Sequence, residues 1–327
     1  MELTPSTVLD AVSRRLFLAL AGNRTLKAAA SRYGMRGPHG VARRFIGGRN
    51  VTEAIEAARR LERRGLLHTF NYLGEHVRSP EAAEAATIAY LWVIESVSLA
   101  GMTCNLSVKL TQLGLELDAG LCRDNLKRIL THTDARRCFV RVDMEGSPLI
   151  DRTLDIVAAM RTSGYGHLGV VLQSALRRTP DDLARVTELG LPVRLVKGAY
   201  KEPADVAFQD KREVDSAFVQ LTETLLDTGV HPAFATHDPR MIRAVRAAAG
   251  ARGIGRDRFE FQMLYGVRRD LQAALEAQGY AVRIYLPFGG DWFPYFMRRL
   301  AERPANVLFV VRSLLHEQLG DQRGYGG

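Results

Sequence analysis

The sequence predicts an α/β fold, a (β/α)8 TIM-type barrel with N-terminal helices. Eight short apolar runs, at 66–72, 105–109, 139–143, 169–172, 193–196, 232–235, 258–262 and 282–286, have the length and residue types of strands. Longer stretches with apolar residues at helical spacing separate them, as at 81–99, 150–163, 181–189, 215–228 and 239–249. Together these units span residues 66–315, close to the roughly 250 residues that such a barrel takes. An open, doubly wound sheet is the competing layout, but eight regular units favour closure.

In chain order, residues 6–21 are apolar at helical spacing, and 51–64 are rich in Ala, Glu and Arg behind Thr52, the expected N-cap. These form a helical arm over residues 1–64, ahead of a barrel domain at 65–316 and a flexible tail at 317–327. The run Gly164-Tyr165-Gly166-His167-Leu168-Gly169 fits a G-x-G-x-x-G pattern. It follows a helix and precedes a strand, the reverse of a phosphate-cradling turn, so it reads as a helix stop and loop. The last unit runs from an apolar strand through Pro287, Gly289 and Gly290 into a helix with strong polar positions.

Composition narrows the function. The balance is 45 basic against 36 acidic residues, +9, which permits an anionic partner. The basic residues are spread along the chain and the aromatics do not interleave with them, which argues against nucleic-acid binding. Cys104, Cys122 and Cys138 form no Cys-x-x-Cys pair and their number is odd. That suits a reducing compartment and argues against a disulfide framework or a zinc knuckle. The first 20 residues mix charges into their apolar positions and make a poor signal peptide, so a cytoplasmic chain is expected. No stretch reaches the ~18 uncharged apolar residues of a membrane span.

A barrel keeps its chemistry at the C-terminal ends of its strands. The residues there are Glu75, Lys109, Asp143, Gln173, Arg194, Lys197 to Tyr200, Thr236 to Asp238, Gln262, Leu264 and Tyr285. Any one could serve a local hydrogen bond, but a reactive side chain after every strand is harder to dismiss. His237 and Asp238 have no further His or Cys nearby, so no metal is expected. On the last helix Tyr295, Arg298, Arg299 and Glu302 share one face. That face is either a solvated basic stripe or a clamp for a small carboxylate, which an Arg fork suits. A lysine at a strand end, Lys109 or Lys197, also leaves open a Schiff-base aldolase or lyase, and a basic binding module remains the non-enzymatic reading.

Six segments occur in this order: NLSVKLTQLGL at 105–115, VRVDMEGS at 140–147, RLVKGAY at 194–200, FATHDP at 234–239, FEFQMLY at 259–265 and YLPFGGDWFPYFMRRLAERPAN at 285–306. In this combination, from about Arg43 to Leu314, the chain resembles the proline dehydrogenases, specifically their short monofunctional bacterial type. The resemblance implies a flavoenzyme with a distorted (β/α)8 barrel that oxidises L-proline to Δ1-pyrroline-5-carboxylate by hydride transfer to FAD and passes electrons to a membrane quinone. Peripheral association with the inner face of the membrane is then expected, and NAD is not.

The resemblance also implies roles for residues. Lys109, Arg298 and Arg299 match carboxylate-binding positions, and Ala199, Leu264, Tyr285 and Tyr295 match positions that pack on the substrate ring. Asp143 matches an acidic residue that orients the Lys109 and Tyr285 side of the pocket. Gln173 and Arg194 match positions beside the isoalloxazine. Val171, Val196, Lys197, Gly198, Thr236, His237 and Gln262 match other FAD contacts, and Glu302 matches a contact to the ribose. Glu75 matches a gate carboxylate that pairs with the Arg298 position when the site closes. The departures are Asn71, where Asp is usual, and Phe288, where Tyr is common.

Overall fold

The computed structural model describes residues 41–301. Its strands are β1 (Leu67–Tyr72), β2 (Asn105–Val108), β3 (Phe139–Val142), β4 (Leu168–Gln173), β5 (Val193–Val196), β6 (Ala233–Ala235), β7 (Glu260–Leu264) and β8 (Ala281–Phe288). They close into a barrel in sequence order, and every neighbouring pair is parallel, β8 with β1 included. Helix α1 (Val51–Glu62) precedes β1. A helix then follows each strand: α2 (Pro80–Leu99), α3 (Ala119–Asp134), α4 (Ile150–Thr162), α5 (Thr179–Glu188), α6 (Lys211–Thr228), α7 (Pro239–Ala251), α8 (Arg269–Ala277) and α9 (Trp292–Ala301). The expected helix at 6–21, the tail at 317–327 and Glu302 lie outside the described residues.

Strand alternation sorts the side chains into two populations. One face carries Phe70, Leu106, Val140, Val142, Val170, Leu195, Phe234, Phe261 and Ile284, all buried in one core with the surrounding helices. Each such side chain is worth roughly 1.5–3 kcal/mol of transfer free energy. The opposite face carries Thr69, Ser107, Arg141, Arg194, Glu260 and Gln262, buried as well but polar. Registers such as Thr69 with Tyr285, Ser107 with Arg141 and Gln262 with Arg283 set these residues side by side around the lumen. Many barrels fill that space with Val, Ile and Leu; this one spends much of it on charge.

The helix starts follow side-chain chemistry. Asn50 caps α1, not Thr52: the chain enters extended at Asn50, whose Oδ1 accepts from Glu53 N at 3.0 Å. Ala54, Ile55, Ala58 and Leu61 of α1 pack into the same core as the strands. By length and composition alone α2 could cross a membrane, yet its Tyr90, Val93, Ile94 and Val97 are buried against the barrel. A second cluster of Phe45, Ile46, Val267, Trp292, Phe293, Phe296 and Met297 fixes α9 over the strand ends. The approach is close at Gly266, at φ +76°, where an added Cβ would fall 1.7 Å from Arg44 O.

Three expectations are corrected. The cysteine arithmetic argued against a disulfide, but Cys104 and Cys138 are bonded, with Cα atoms 4.6 Å apart, and Cys122 is left buried and free. Asn105 and Phe139 are register partners on neighbouring strands, so the residues before them lie side by side. A separation of 34 residues hides that in the sequence, and cysteine usage no longer argues for a reducing compartment. Next, β7 begins two residues after the expected 258, because Arg258 N closes a turn onto Gly255 O at 3.1 Å. Finally, β8 runs on to Phe288 and β7 to Leu264, so Tyr285 and Gln262 lie within their strands and not at the ends.

Candidate active site

Asp143, one residue past β3, is the centre of the lumen's charge network. Its Oδ1 accepts from Arg194 Nη1 at 2.9 Å and its Oδ2 from the Tyr285 hydroxyl at 2.6 Å, with Lys109 Nζ 3.6 Å away. Arg194 also donates to Ser107 Oγ at 2.9 Å and to Gln262 Oε1, and its guanidinium lies 5.4 Å from the centre of the Tyr285 ring. These residues come from β2, β3, β5, β7 and β8, which are not all neighbours, so the contacts cross the lumen. Below them Glu260 takes Arg283 Nε at 2.9 Å, and Arg283 donates to His68 O at 3.0 Å.

The surroundings fix the protonation states. Burial by itself would lower Lys109, but the charges of Asp143, Glu145 and Glu75 outweigh it and hold the ammonium above the usual lysine range. Burial and the Asp143 charge push the Tyr285 phenol well above its ordinary value, so it stays a donor. Lys109 opens the 3-10 turn Leu110–Leu113, and Glu145 ties that turn down, accepting from Thr111 N at 3.1 Å and Thr111 Oγ1 at 2.7 Å.

The rim facing this network is α9. Tyr295 is buried, Arg298 Nη1 donates to Glu75 Oε1 at 2.6 Å, and the Arg299 guanidinium lies 5.1 Å from the Tyr295 ring centre. The expected gate pair, Glu75 with Arg298, is therefore formed in this structure. Leu264, at the end of β7, packs against the cluster that seats α9.

The residues matched to a cofactor gather on the other arc. Val171 and Gln173 come from β4, Arg194 and Val196 from β5, Gln262 from β7, and Thr236 and His237 follow β6. Gln173 donates to Met144 O and Glu145 O, both at 3.2 Å, and His237 Nε2 accepts from Leu264 N at 2.9 Å. Gly198 sits at φ +113°, and a Cβ there would fall 3.2 Å from Ala175 Cβ and 3.6 Å from Gln173 Oε1. After it Ala199 is exposed at the mouth.

Lys197 is placed differently from the rest. Its ammonium is held by Asp215 on α6 and, at 3.0 Å, by Asp238, the cap of α7, in a cluster with Lys211 and Arg240. Lys109 does not fit Schiff-base chemistry, which needs a lysine with a depressed value, because its value is raised; the Lys197 ammonium is committed to Asp215 and Asp238.

Strand-end reasoning missed Ser107, Glu145, Glu260 and Arg283. For Ser107, Glu260 and Arg283, polar residues at alternate positions in β2, β7 and β8 were the available signal, since a buried strand otherwise reads as an apolar run.

A closed (β/α)8 barrel with a buried charge network under two rim arginines has the architecture of a barrel enzyme. Comparison with known proteins specifies it. A profile described as proline dehydrogenase matches residues 54–312. Proline dehydrogenase 2 of Bacillus subtilis (strain 168) is 39% identical over 303 residues, covering 93% of this chain and 99% of the relative. Proline dehydrogenase of Deinococcus radiodurans is 41% identical over 279 residues, covering 84% and 90%. Among solved structures, proline utilization A (PutA) from Bdellovibrio bacteriovorus superposes with a TM-score of 0.78 at 24% identity, over 91% of this chain and 37% of that one, a likeness of fold. The chain belongs to the proline dehydrogenase family and is an oxidoreductase of the first step of proline catabolism.

Proposed function

We propose that the chain is an FAD-dependent proline dehydrogenase that forms Δ1-pyrroline-5-carboxylate and delivers its electrons to a membrane quinone. The observation that carries this reading is the division of one mouth into two arcs. Lys109, Asp143 and Tyr285 stand with α9 on one side, and the uncharged row Val171, Gln173, Val196, Gly198, Thr236, Gln262 stands on the other, with Arg194 between them.

The second arc fits a flat flavin. It offers the side-chain amides of Gln173 on β4 and Gln262 on β7, a guanidinium, and a strand end where glycine leaves the backbone uncovered. Gln173, Arg194, Thr236, His237 and Gln262 would hold the group there. FAD supplies the two-electron acceptor for the hydride that leaves the proline ring carbon beside nitrogen.

The chain's own residues do the rest. Lys109 stays protonated and, with Arg298 and Arg299, receives the substrate carboxylate by charge-assisted hydrogen bonds. Asp143 spends its oxygens on Arg194, Tyr285 and Lys109. It therefore orients those donors and does not take the substrate's proton. The Tyr285, Tyr295, Leu264 and Ala199 side chains wall the ring, and Glu75 closes on Arg298 to keep water out. Proline enters with its amine deprotonated, so that the nitrogen lone pair forms the C=N bond as the hydride leaves.

The test is a visible spectrum of the purified protein before and after anaerobic addition of proline. A flavin band that bleaches is expected; a colourless protein that FAD does not reconstitute ends the reading. Soluble quinone analogues should reoxidise the reduced protein, and robust turnover with NAD would contradict the quinone assignment.

A further inference from the structure

Residues 197–210 connect β5 to α6 at the C-terminal end of the barrel. The far half of this strap is sewn to the β4–α5 turn: Arg177 N donates to Val206 O at 3.0 Å and Phe208 N to Ala175 O at 2.8 Å. The Arg177 side chain adds a bond to Ala204 O at 3.1 Å and lies 4.6 Å from the centre of the Phe208 ring. The near half, Gly198 to Lys201, is exposed. It carries Ala199 and also Tyr200, whose hydroxyl is close enough to couple electrostatically to Lys109, Glu145, Glu75 and Asp143.

Between the halves stands Glu202. Its Oε1 accepts from Ser147 N at 2.8 Å and its Oε2 from Ser147 Oγ at 2.6 Å. Gln209 Nε2 donates to the Glu202 carbonyl at 3.3 Å. Ser147 ends the loop that begins at Asp143, so one carboxylate ties the strap to the loop that orients Lys109 and Tyr285. Both of its oxygens are spent on a single residue, a two-point contact that fixes direction as well as distance.

We propose that Glu202 is a positioning residue for proline oxidation: by gripping Ser147 it holds Ala199 and Tyr200 over the bound substrate. The role rests on the reading of Ala199 as a wall of the substrate pocket. It predicts a loss in substrate binding, because a loosened strap must be ordered again each time proline binds.

The experiment uses the full-length, flavin-loaded protein and the variants Glu202→Gln and Ser147→Ala. Glu202→Gln should raise KM for proline about tenfold, the scale of one charge-assisted hydrogen bond, with kcat within about twofold and flavin content unchanged. Ser147→Ala keeps the backbone N–H donor and should raise KM about threefold. Combined with Glu202→Gln it should add almost nothing, since both changes break one contact. Without any substrate, trypsin should cut after Lys201 faster in Glu202→Gln than in the parent. Parent-like KM and parent-like cleavage would overturn the proposal. So would kcat, flavin content and melting temperature falling together, which marks a purely structural residue. If Glu202→Gln does not fold, Ser147→Ala alone decides by the same KM and cleavage readouts. Faster cleavage in a protein whose parent does not oxidise proline would keep the fastening and remove the proline reading.

Discussion

Arg194 in the lumen and Arg298 on the rim each meet a carboxylate, under opposite conditions. The Arg194–Asp143 pair has side chains 5% and 10% exposed, and four further partners surround it in Ser107, Gln262, Tyr285 and Lys109. The Arg298–Glu75 pair is 35% and 28% exposed and joins α9 to the loop after β1. Charges taken fully from water are held only if every lone pair and proton is satisfied, so the lumen pair is a permanent part of the fold. The rim pair keeps its hydration and can exchange one carboxylate for another at small cost. A site that must admit a substrate carboxylate needs both: a fixed floor that sets the field, and a rim that lets go.

If the floor is permanent, breaking it should be the most costly change. Arg194→Met leaves Asp143 Oδ1 without its guanidinium partner inside the lumen and should cost about 3 kcal/mol of stability, seen as a lower urea midpoint with an unchanged slope. A variant as stable as the parent would mean that water reaches Asp143 and that floor and rim do not differ in kind.

Next come the groups assigned to the substrate. Lys109→Met or Arg299→Met removes one charged donor, a loss of roughly 1.5–3 kcal/mol, and should weaken proline binding by about one to two orders of magnitude while flavin content stays normal. Titration of the flavin spectrum with proline measures both. Either variant binding proline as the parent does would remove that residue from the clamp.

These two regions were not equally legible in the sequence. The outward face of each strand is written in Phe70, Leu106, Val140, Val170, Leu195, Phe234, Phe261 and Ile284, and these runs give the strand count and most boundaries to within a residue. The strand-end residues Lys109, Asp143 and Gln173 follow from the architecture alone. Which of them meet does not, because Arg194 finds Ser107 87 residues away and Asp143 51 residues away, across the lumen. The Cys104–Cys138 bond was hidden in the same way by strand register. Glu145 was missed because it reads as one polar residue in a loop, and only its two bonds to Thr111 give it a task.

Glu145 also sharpens the comparison through pH. Burial pushes its carboxyl above the ordinary glutamate value, with the Lys109 charge and the Thr111 bonds opposing. A carboxyl whose folded value is raised stabilises the fold fully below its unfolded value, and that contribution is lost as pH rises through the folded value. The stability of the parent relative to Glu145→Gln should therefore fall as pH climbs from about 4.5 through the raised folded value, then level off. Urea midpoints of both proteins across that window measure it. A difference that grows with pH would mean the carboxylate, not the acid, is the form the floor prefers.

The smallest effect should come from the rim. Glu75→Gln removes the charge that meets Arg298 but keeps a group able to accept a hydrogen bond. With both partners about a third exposed, such a pair contributes on the order of 0.5 kcal/mol, so proline affinity should change by about twofold. The sign carries the information. In the structure Glu75 already occupies Arg298, and an incoming carboxylate must share or displace it. If Glu75 competes, Glu75→Gln binds proline slightly tighter and releases product faster; if it latches the closed site, the variant binds slightly weaker. The pair is already formed in the structure, which favours the latch, so weaker binding is expected. Raising salt should shrink the difference between parent and variant, since exposed charges are screened within about 10 Å at 0.1 M. A tenfold or larger loss that salt leaves untouched would place Glu75 with the floor, and the division between lumen and rim would have to be redrawn around it.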